Sequence, residues 1–162
     1  MTNRIFRAAV GAFIFNEDGE LLVVLKHNYV NKWDIAKGGI DFNGEDDITT
    51  LKRELFEELG VSDPKILRRS MVSKVFLKPK FEWNQIETNE YVGQAQVNYW
   101  VFISKDTKLT IPNEELEQYK WIKIDKETIK EYFNVHDAEG TYQNFLPIEW
   151  NQIKDELLKE II

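Results

Sequence analysis

The chain of 162 residues contains no cysteine. This excludes disulfides and thiolate metal sites, and it suits a reducing compartment. Histidine is scarce as well. His27 and His136 are the two present; neither has a metal-type partner at ligand spacing, and both fall in segments that read as loops. No apolar run approaches the roughly 20 residues of a membrane helix, so no membrane partner is expected. The first residues are polar and basic, but the apolar stretch after them is broken by Gly11 and leads into a turn, which does not read as a signal peptide. The expected location is the cytoplasm. Positive charge is the other shortage: 21 Lys and Arg stand against 28 Asp and Glu, a net charge of -7. A protein that tracks long stretches of nucleic-acid backbone carries a basic surface, so no extended nucleic-acid surface is expected. An acidic chain that handles phosphates needs another source of positive charge, and a divalent metal supplies one.

A hydrophobic fraction of 43%, with 13% aromatics, provides the core of one domain. Val10 to Phe15 and Leu21 to Leu25 read as a hairpin turning at Asp18-Gly19. Trp33-Asp34-Ile35-Ala36 is a short extended piece that leads to Lys37-Gly38-Gly39, where adjacent glycines allow a ligand or metal close to the backbone. From Glu45 to Leu59 the spacing is helical: Ile48, Leu51, Leu55 and Leu59 form one apolar stripe, and Gly60 is the stop. Strands are expected over Ile66–Leu77, Val92–Ile103 and Tyr119–Ile124. Asp125 caps a helix running through Phe133; a loop over Asn134–Leu146 follows, and Pro147 opens a last amphipathic helix with Trp150, Ile153, Leu157 and Leu158. Without repeats or a long linker, residues 1–162 read as a single domain of mixed α/β class, helices packed on a sheet.

Glu54, Glu57 and Glu58 occupy relative positions zero, three and four, which puts three carboxylates on one helix patch away from the apolar stripe. Like charges at this spacing cost roughly 0.2–0.5 kcal/mol per pair. A solvated acidic face is one reading; a site for a hard cation such as Mg²⁺ or Mn²⁺ is the other. The flanking residues decide between them. Gly39 is followed after five residues by Glu45, and Glu45 after seven by Arg53-Glu54-Leu55-Phe56-Glu57-Glu58-Leu59-Gly60-Val61. This run resembles the Nudix box at every defining position. With seven fixed residue types at usages near ~7% each, chance agreement in such a chain is on the order of one in a million.

The resemblance implies a Nudix-type α/β/α sandwich with a mixed β-sheet, a catalytic loop-helix-loop and a C-terminal helix. It implies an enzyme that hydrolyses a pyrophosphate bond in a nucleotide-type substrate with Mg²⁺, for which Mn²⁺ can substitute. In the family's pattern Glu57 and Glu58 hold metal with the carbonyl oxygen of Gly38, Glu54 is a further ligand or the base, and Arg53 orients a carboxylate. The family's Trp-Asp-Phe-Pro-Lys-Gly-Gly segment stands here as Trp33-Asp34-Ile35-Ala36-Lys37-Gly38-Gly39.

Other segments resemble bacterial RNA pyrophosphohydrolases. Glu115-Leu116-Glu117-Gln118-Tyr119-Lys120-Trp121 is similar to their Glu-Phe-Asp-Gly-Trp-Arg-Trp, which makes Glu115, ahead of its neighbours Glu114 and Glu117, the extra ligand or base. Val92-Gly93-Gln94-Ala95-Gln96 is similar to their Ile-Gly-Gln-Lys-Gln. Arg7, Lys26, Lys37 and Gln94 are therefore candidates for phosphate or nucleotide contacts, and Phe76 or Phe81 for stacking on a base. Against this, the basic segment of those enzymes is replaced by a mixed loop over 78–89, with Glu82, Glu87 and Glu90 nearby. The expected substrates are an RNA 5′-triphosphate end or a dinucleoside polyphosphate, with free nucleoside triphosphates as the alternative. A nucleotide-sensing module without activity is the rival from another class, but such modules typically lose box glutamates. Monomer and homodimer both remain open.

Overall fold

The computed structural model describes residues 5–26, 33–40, 45–77, 91–110, 116–133 and 140–161. Aromatic and β-branched residues build a long first strand, β1 (Ile5–Phe15), which turns back into β2 (Glu20–Lys26). The turn has chemistry of its own. Asn16 Oδ1 accepts from the amides of Asp18 and Glu20, both at 3.0 Å, and Gly19 adopts φ 75°, a region costly for residues with a Cβ. Two short strands follow, β3 (Trp33–Asp34) and β4 (Ala36–Gly39). Helix α1 (Asp47–Leu59) starts two residues later than its spacing predicts, because Asp46 is the cap and accepts from Thr49 N at 2.7 Å. It ends at Gly60, whose φ of 70° makes the left-handed stop.

The strand expected over Ile66–Leu77 is broken in two, β5 (Lys65–Arg69) and β6 (Lys74–Leu77). Both pair with β7 (Tyr91–Phe102), and the cause of the break is a buried carboxylate. Glu149, reaching in from the last helix, accepts from Ser70 Oγ at 2.5 Å, Met71 N at 2.5 Å and Trp100 Nε1 at 2.7 Å. Asn98 Nδ2 donates to the carbonyl of Val72 at 2.9 Å and uses up a second group in the break. β8 (Leu116–Lys123) leads into α2 (Lys126–Tyr132), capped by Asp125 as its sequence indicates.

The last helix corrects the sequence reading. α3 spans Thr141–Glu160, and Pro147 lies inside it, not at its first turn; the loop expected up to Leu146 ends at Gly140, with 134–139 outside the described residues. Proline forfeits the bond its N–H would give to the carbonyl four residues back. Burial compensates: Tyr142, Leu146, Pro147, Trp150 and Leu157 all pack inward from this helix.

The sheet is mixed. β1 runs parallel to β7 in continuous register from Phe6↔Gly93 to Phe15↔Phe102, and the remaining pairs are antiparallel. β1 meets β2 at Phe15↔Leu21, after which β4 takes over as its neighbour from Ala12↔Ala36 to Ala9↔Gly39. One face, with Val10, Ala12 and Ile14, packs on Leu51, Leu55 and Leu59 of α1. The other, with Phe13, Phe15 and Trp100, packs on α2 and α3; Trp100 lies 5.3 Å from Trp150 and 5.2 Å from Phe13, centroid to centroid. The architecture is the expected α/β/α sandwich. Among the described residues no helix is long and apolar enough to cross a membrane.

Glu149→Leu would strand a hydroxyl and an indole N–H in the core and remove the acceptor of the half-buried Met71 amide. An unsatisfied buried donor costs about 1–3 kcal/mol, so equilibrium urea unfolding should show a loss of at least roughly 2 kcal/mol, at unchanged m.

Candidate active site

Strand alternation and helix periodicity together assemble the site. β4 is paired along β1, so successive residues of Ala36–Gly39 point to opposite faces of the sheet. Gly38 faces α1: a Cβ there would overlap the carboxylate of Glu54. Gly39 faces the other way, and a Cβ there would overlap the guanidinium of Arg7. The two glycines are thus clasped by an acid on one side and a base on the other. Any larger residue at either position would push one of those groups away.

On α1 the three glutamates differ in exposure. Glu58 is 2% exposed, the Glu54 side chain 15% and the Glu57 side chain 48%. The patch therefore runs from the packed side of the helix outward to solvent. Arg53 holds it together. Its Nε lies 3.2 Å from Glu45 Oε2, and its Nη1 is 3.2 Å from Glu54 Oε1 and 3.3 Å from Glu57 Oε2. Partial burial works against the guanidinium's charge, but the hydrogen bond to Glu45 and the fields of Glu54, Glu45 and Glu57 outweigh it and hold its pKa above the ordinary arginine value. Glu45 also accepts from Thr50 Oγ1 at 3.1 Å, which ties the residue before the helix to its first turn.

Hard carboxylate oxygens on one face, beside the backbone of Gly38, suit Mg²⁺ or Mn²⁺ in chemistry and charge. Glu54, Glu57 and Glu58 would supply side-chain ligands and Gly38 its carbonyl. Among the described residues no three acidic or histidine side chains converge on one point, and Glu57 is turned toward Arg53.

The candidates for substrate contact separate. Arg7, Gln94 and Phe76 are Cα partners across β1, β7 and β6, and so form one row on the α3 side of the sheet. Gln94 is half-buried and donates to Gln96 at 3.2 Å. Lys37 is placed differently: its Nζ is 2.8 Å from Asp34 Oδ2, an ion pair with a buried carboxylate that also accepts from the amide of Ile35 at 2.8 Å. Lys26 ends β2, with Leu116 as its Cα partner; its side chain, together with Phe81, His27, His136, Glu114 and Glu115, lies outside the described residues. The sequence reading missed Asp34, whose spacing of three from Lys37 was visible. It also missed Tyr99, whose hydroxyl donates to Asp47 at the start of α1; nothing in the sequence joins those two.

A family model described as the NUDIX domain matches residues 5–145. The chain belongs to the Nudix family. It is 28% identical over 135 residues to an RNA pyrophosphohydrolase of Bartonella bacilliformis, covering 74% of this chain and 79% of that one. To Nudix hydrolase 25 of Arabidopsis thaliana it is 30% identical over 128 residues, with 73% of each chain covered. In fold it resembles an Ap4A hydrolase of C. elegans, with TM-score 0.62 at 16% identity over 88% of this chain and 96% of that one. A second resemblance is to the E. coli dihydroneopterin triphosphate pyrophosphohydrolase, with TM-score 0.63 at 11% identity, covering 88% and 97%. The Nudix box lies here on a helix laid against a mixed sheet, beside a glycine pair.

The two glycines of this Nudix site give separable predictions. Displacements near 1 Å at an active site cost up to about 100-fold in rate. Gly38→Ala, by displacing Glu54, should lower kcat at least tenfold, whereas Gly39→Ala, by displacing Arg7, should act mainly on KM. Steady-state kinetics with circular dichroism as the folding control checks both.

Proposed function

We propose that this Nudix hydrolase, which acts on pyrophosphate bonds, is Mg²⁺-dependent and cleaves either a 5′-triphosphorylated RNA end or a dinucleoside polyphosphate. The observation that carries the reading is the acidic face of α1 clasped against Gly38, with Arg53 holding Glu54 and Glu57. Bound there, the metal would offset the charge that develops on phosphate oxygens in in-line displacement and lower the pKa of the attacking water.

The chain's own groups do the rest. Glu57 and Glu58 anchor the cation, and the burial of Glu58 fixes one ligand in place. Glu54, set between Arg53 and Gly38, is placed either as a ligand or to accept the proton of the attacking water. Glu115 is proposed as the further carboxylate, ligand or base. Arg53 acts through the carboxylates it orients. Across the glycine pair, Arg7 would hold a phosphate or nucleotide group, with Gln94 and Phe76 beside it in the same row. Lys26 is proposed as a phosphate contact. Lys37, proposed as a phosphate contact too, meets phosphate only by leaving Asp34.

The names of the sequence relatives favour RNA ends, since the Bartonella protein is named an RNA pyrophosphohydrolase. The fold neighbours include both an Ap4A hydrolase and a dihydroneopterin triphosphate pyrophosphohydrolase and do not choose between the other two substrates. The net charge of -7 fits a grip confined to the 5′ end of RNA. The proposed setting is the cytoplasm, as a single domain.

The test compares 5′-triphosphorylated RNA, diadenosine tetraphosphate and free nucleoside triphosphates, each with Mg²⁺ and with EDTA. Metal-dependent cleavage of either of the first two, faster than of free triphosphates, is the expected result. Glu57→Gln should lower kcat on the preferred substrate by about 10²-fold or more with an unchanged circular dichroism spectrum. A folded Glu57→Gln protein with full turnover would remove the metal assignment.

A further inference from the structure

Tyr99 stands on β7, on the face of the sheet that receives α1, and packs at the edge of the Leu51–Leu55–Leu59 cluster. Its hydroxyl donates to Oδ2 of Asp47, the first residue of α1 and 52 positions distant in sequence. Asp47 Oδ1 accepts from Ile48 N at 2.9 Å. The carboxylate is therefore held by the helix on one oxygen and by the sheet on the other. The neighbouring cap Asp46 accepts from Thr49 N, a bond inside the helix that does nothing to set the helix on the sheet. At the far end, Thr110 N donates to the carbonyl of Leu59 at 3.0 Å. α1 is thus tied at both ends, by a backbone bond at its last residue and by Tyr99 at its first.

Burial, the hydrogen bond to Asp47 and the charge of Asp47 together push the Tyr99 hydroxyl up to about 12. It stays a donor throughout the neutral range. Arg69, its register partner on β5, works in the opposite sense, and Asp46 adds to the rise.

The first turn matters to the acidic face because of what it carries. Glu45 lies two residues before Asp47, receives Thr50 Oγ1 from the turn, and holds Arg53 through Nε. Arg53 in turn holds Glu54 and Glu57. A displacement of the first turn moves Glu45, and through the one guanidinium of Arg53 it reaches Glu54 and Glu57.

We propose that Tyr99 is a positioning residue for the acidic face: by fixing the first turn of α1 to β7 it sets Glu45 and Arg53, which present Glu54 and Glu57 beside Gly38. The proposal rests on the reading of that face as the metal site. It names a tie that the Nudix box does not contain.

The probe is Mn²⁺ alone, titrated into the full chain without substrate and followed by electron paramagnetic resonance of the free ion. Tyr99→Phe keeps the ring and loses the hydroxyl. Mn²⁺ affinity should fall about three- to tenfold, the equilibrium weight of one hydrogen bond, while amide exchange speeds up over residues 48–51 of the metal-free protein. Asp47→Asn retains an acceptor for Tyr99 and should bind Mn²⁺ within about twofold of the unaltered chain. If Tyr99→Phe does not fold, Asp47→Ala breaks the same tie from the helix side, and the same three- to tenfold loss is expected of it. The proposal is overturned if Tyr99→Phe, or Asp47→Ala in its place, binds Mn²⁺ as the unaltered chain does. A loss with Asp47→Asn as large as with removal of the hydroxyl also overturns it. Should the unaltered chain itself bind no Mn²⁺, the metal reading falls and takes this proposal with it. Binding by the unaltered chain together with equal binding by the variants defeats the proposal alone.

Discussion

Glu54, Glu57 and Glu58 crowd negative charge onto one face of α1, and the guanidinium of Arg53 holds two of them where they are. Pairs of like charges at this spacing each cost a few tenths of a kcal/mol. Arg53 reverses that penalty locally, since it meets Glu45, Glu54 and Glu57 at 3.2–3.3 Å. Among the described ion pairs, one guanidinium meets three carboxylates, with Glu58 packed inward beside them. A face of this kind has capacity for further positive charge, which is what a pyrophosphate-cleaving site has to supply.

The surrounding fold serves to bring that face against backbone. The parallel pairing of β1 with β7 makes a rigid centre, and the separation of β2 from β1 beyond Phe15 opens the edge along which β4 lies. Because β4 alternates, Gly38 looks toward α1 and Gly39 toward the opposite layer. Glu54 and Arg7 close over them from either side. The row of Arg7, Gln94 and Phe76 then runs away from the glycine pair over three strands. On the function proposed above, recognition and chemistry fall on different faces of the same short strand.

Most of the architecture was legible because its signals are local. The Asp18-Gly19 turn, the stripe on α1, the Gly60 stop and the Asp125 cap each depend on residues within a few positions. The box glutamates were legible for the same reason, since helical spacing places them together regardless of the rest of the fold. Two errors came from distant partners. The break between β5 and β6 is made by Glu149, 79 residues beyond Ser70. Pro147 sits within α3 because Tyr142 and Leu146, before it, find their burial against strands far away in sequence. The same limitation hid the Tyr99–Asp47 tie. The Lys37–Asp34 pair is different in kind, a local spacing of three that was open to reading.

The proposed chemistry requires a divalent cation between Gly38 and the glutamates of α1. The most direct measurement is paramagnetic broadening of backbone amide resonances by substoichiometric Mn²⁺. Broadening centred on Gly38, Gly39 and residues 54–58, fading along β4 and β1, is the expected result. Broadening centred instead on the acidic turn around Asp18 and Glu20, or spread evenly over the surface carboxylates, would contradict it.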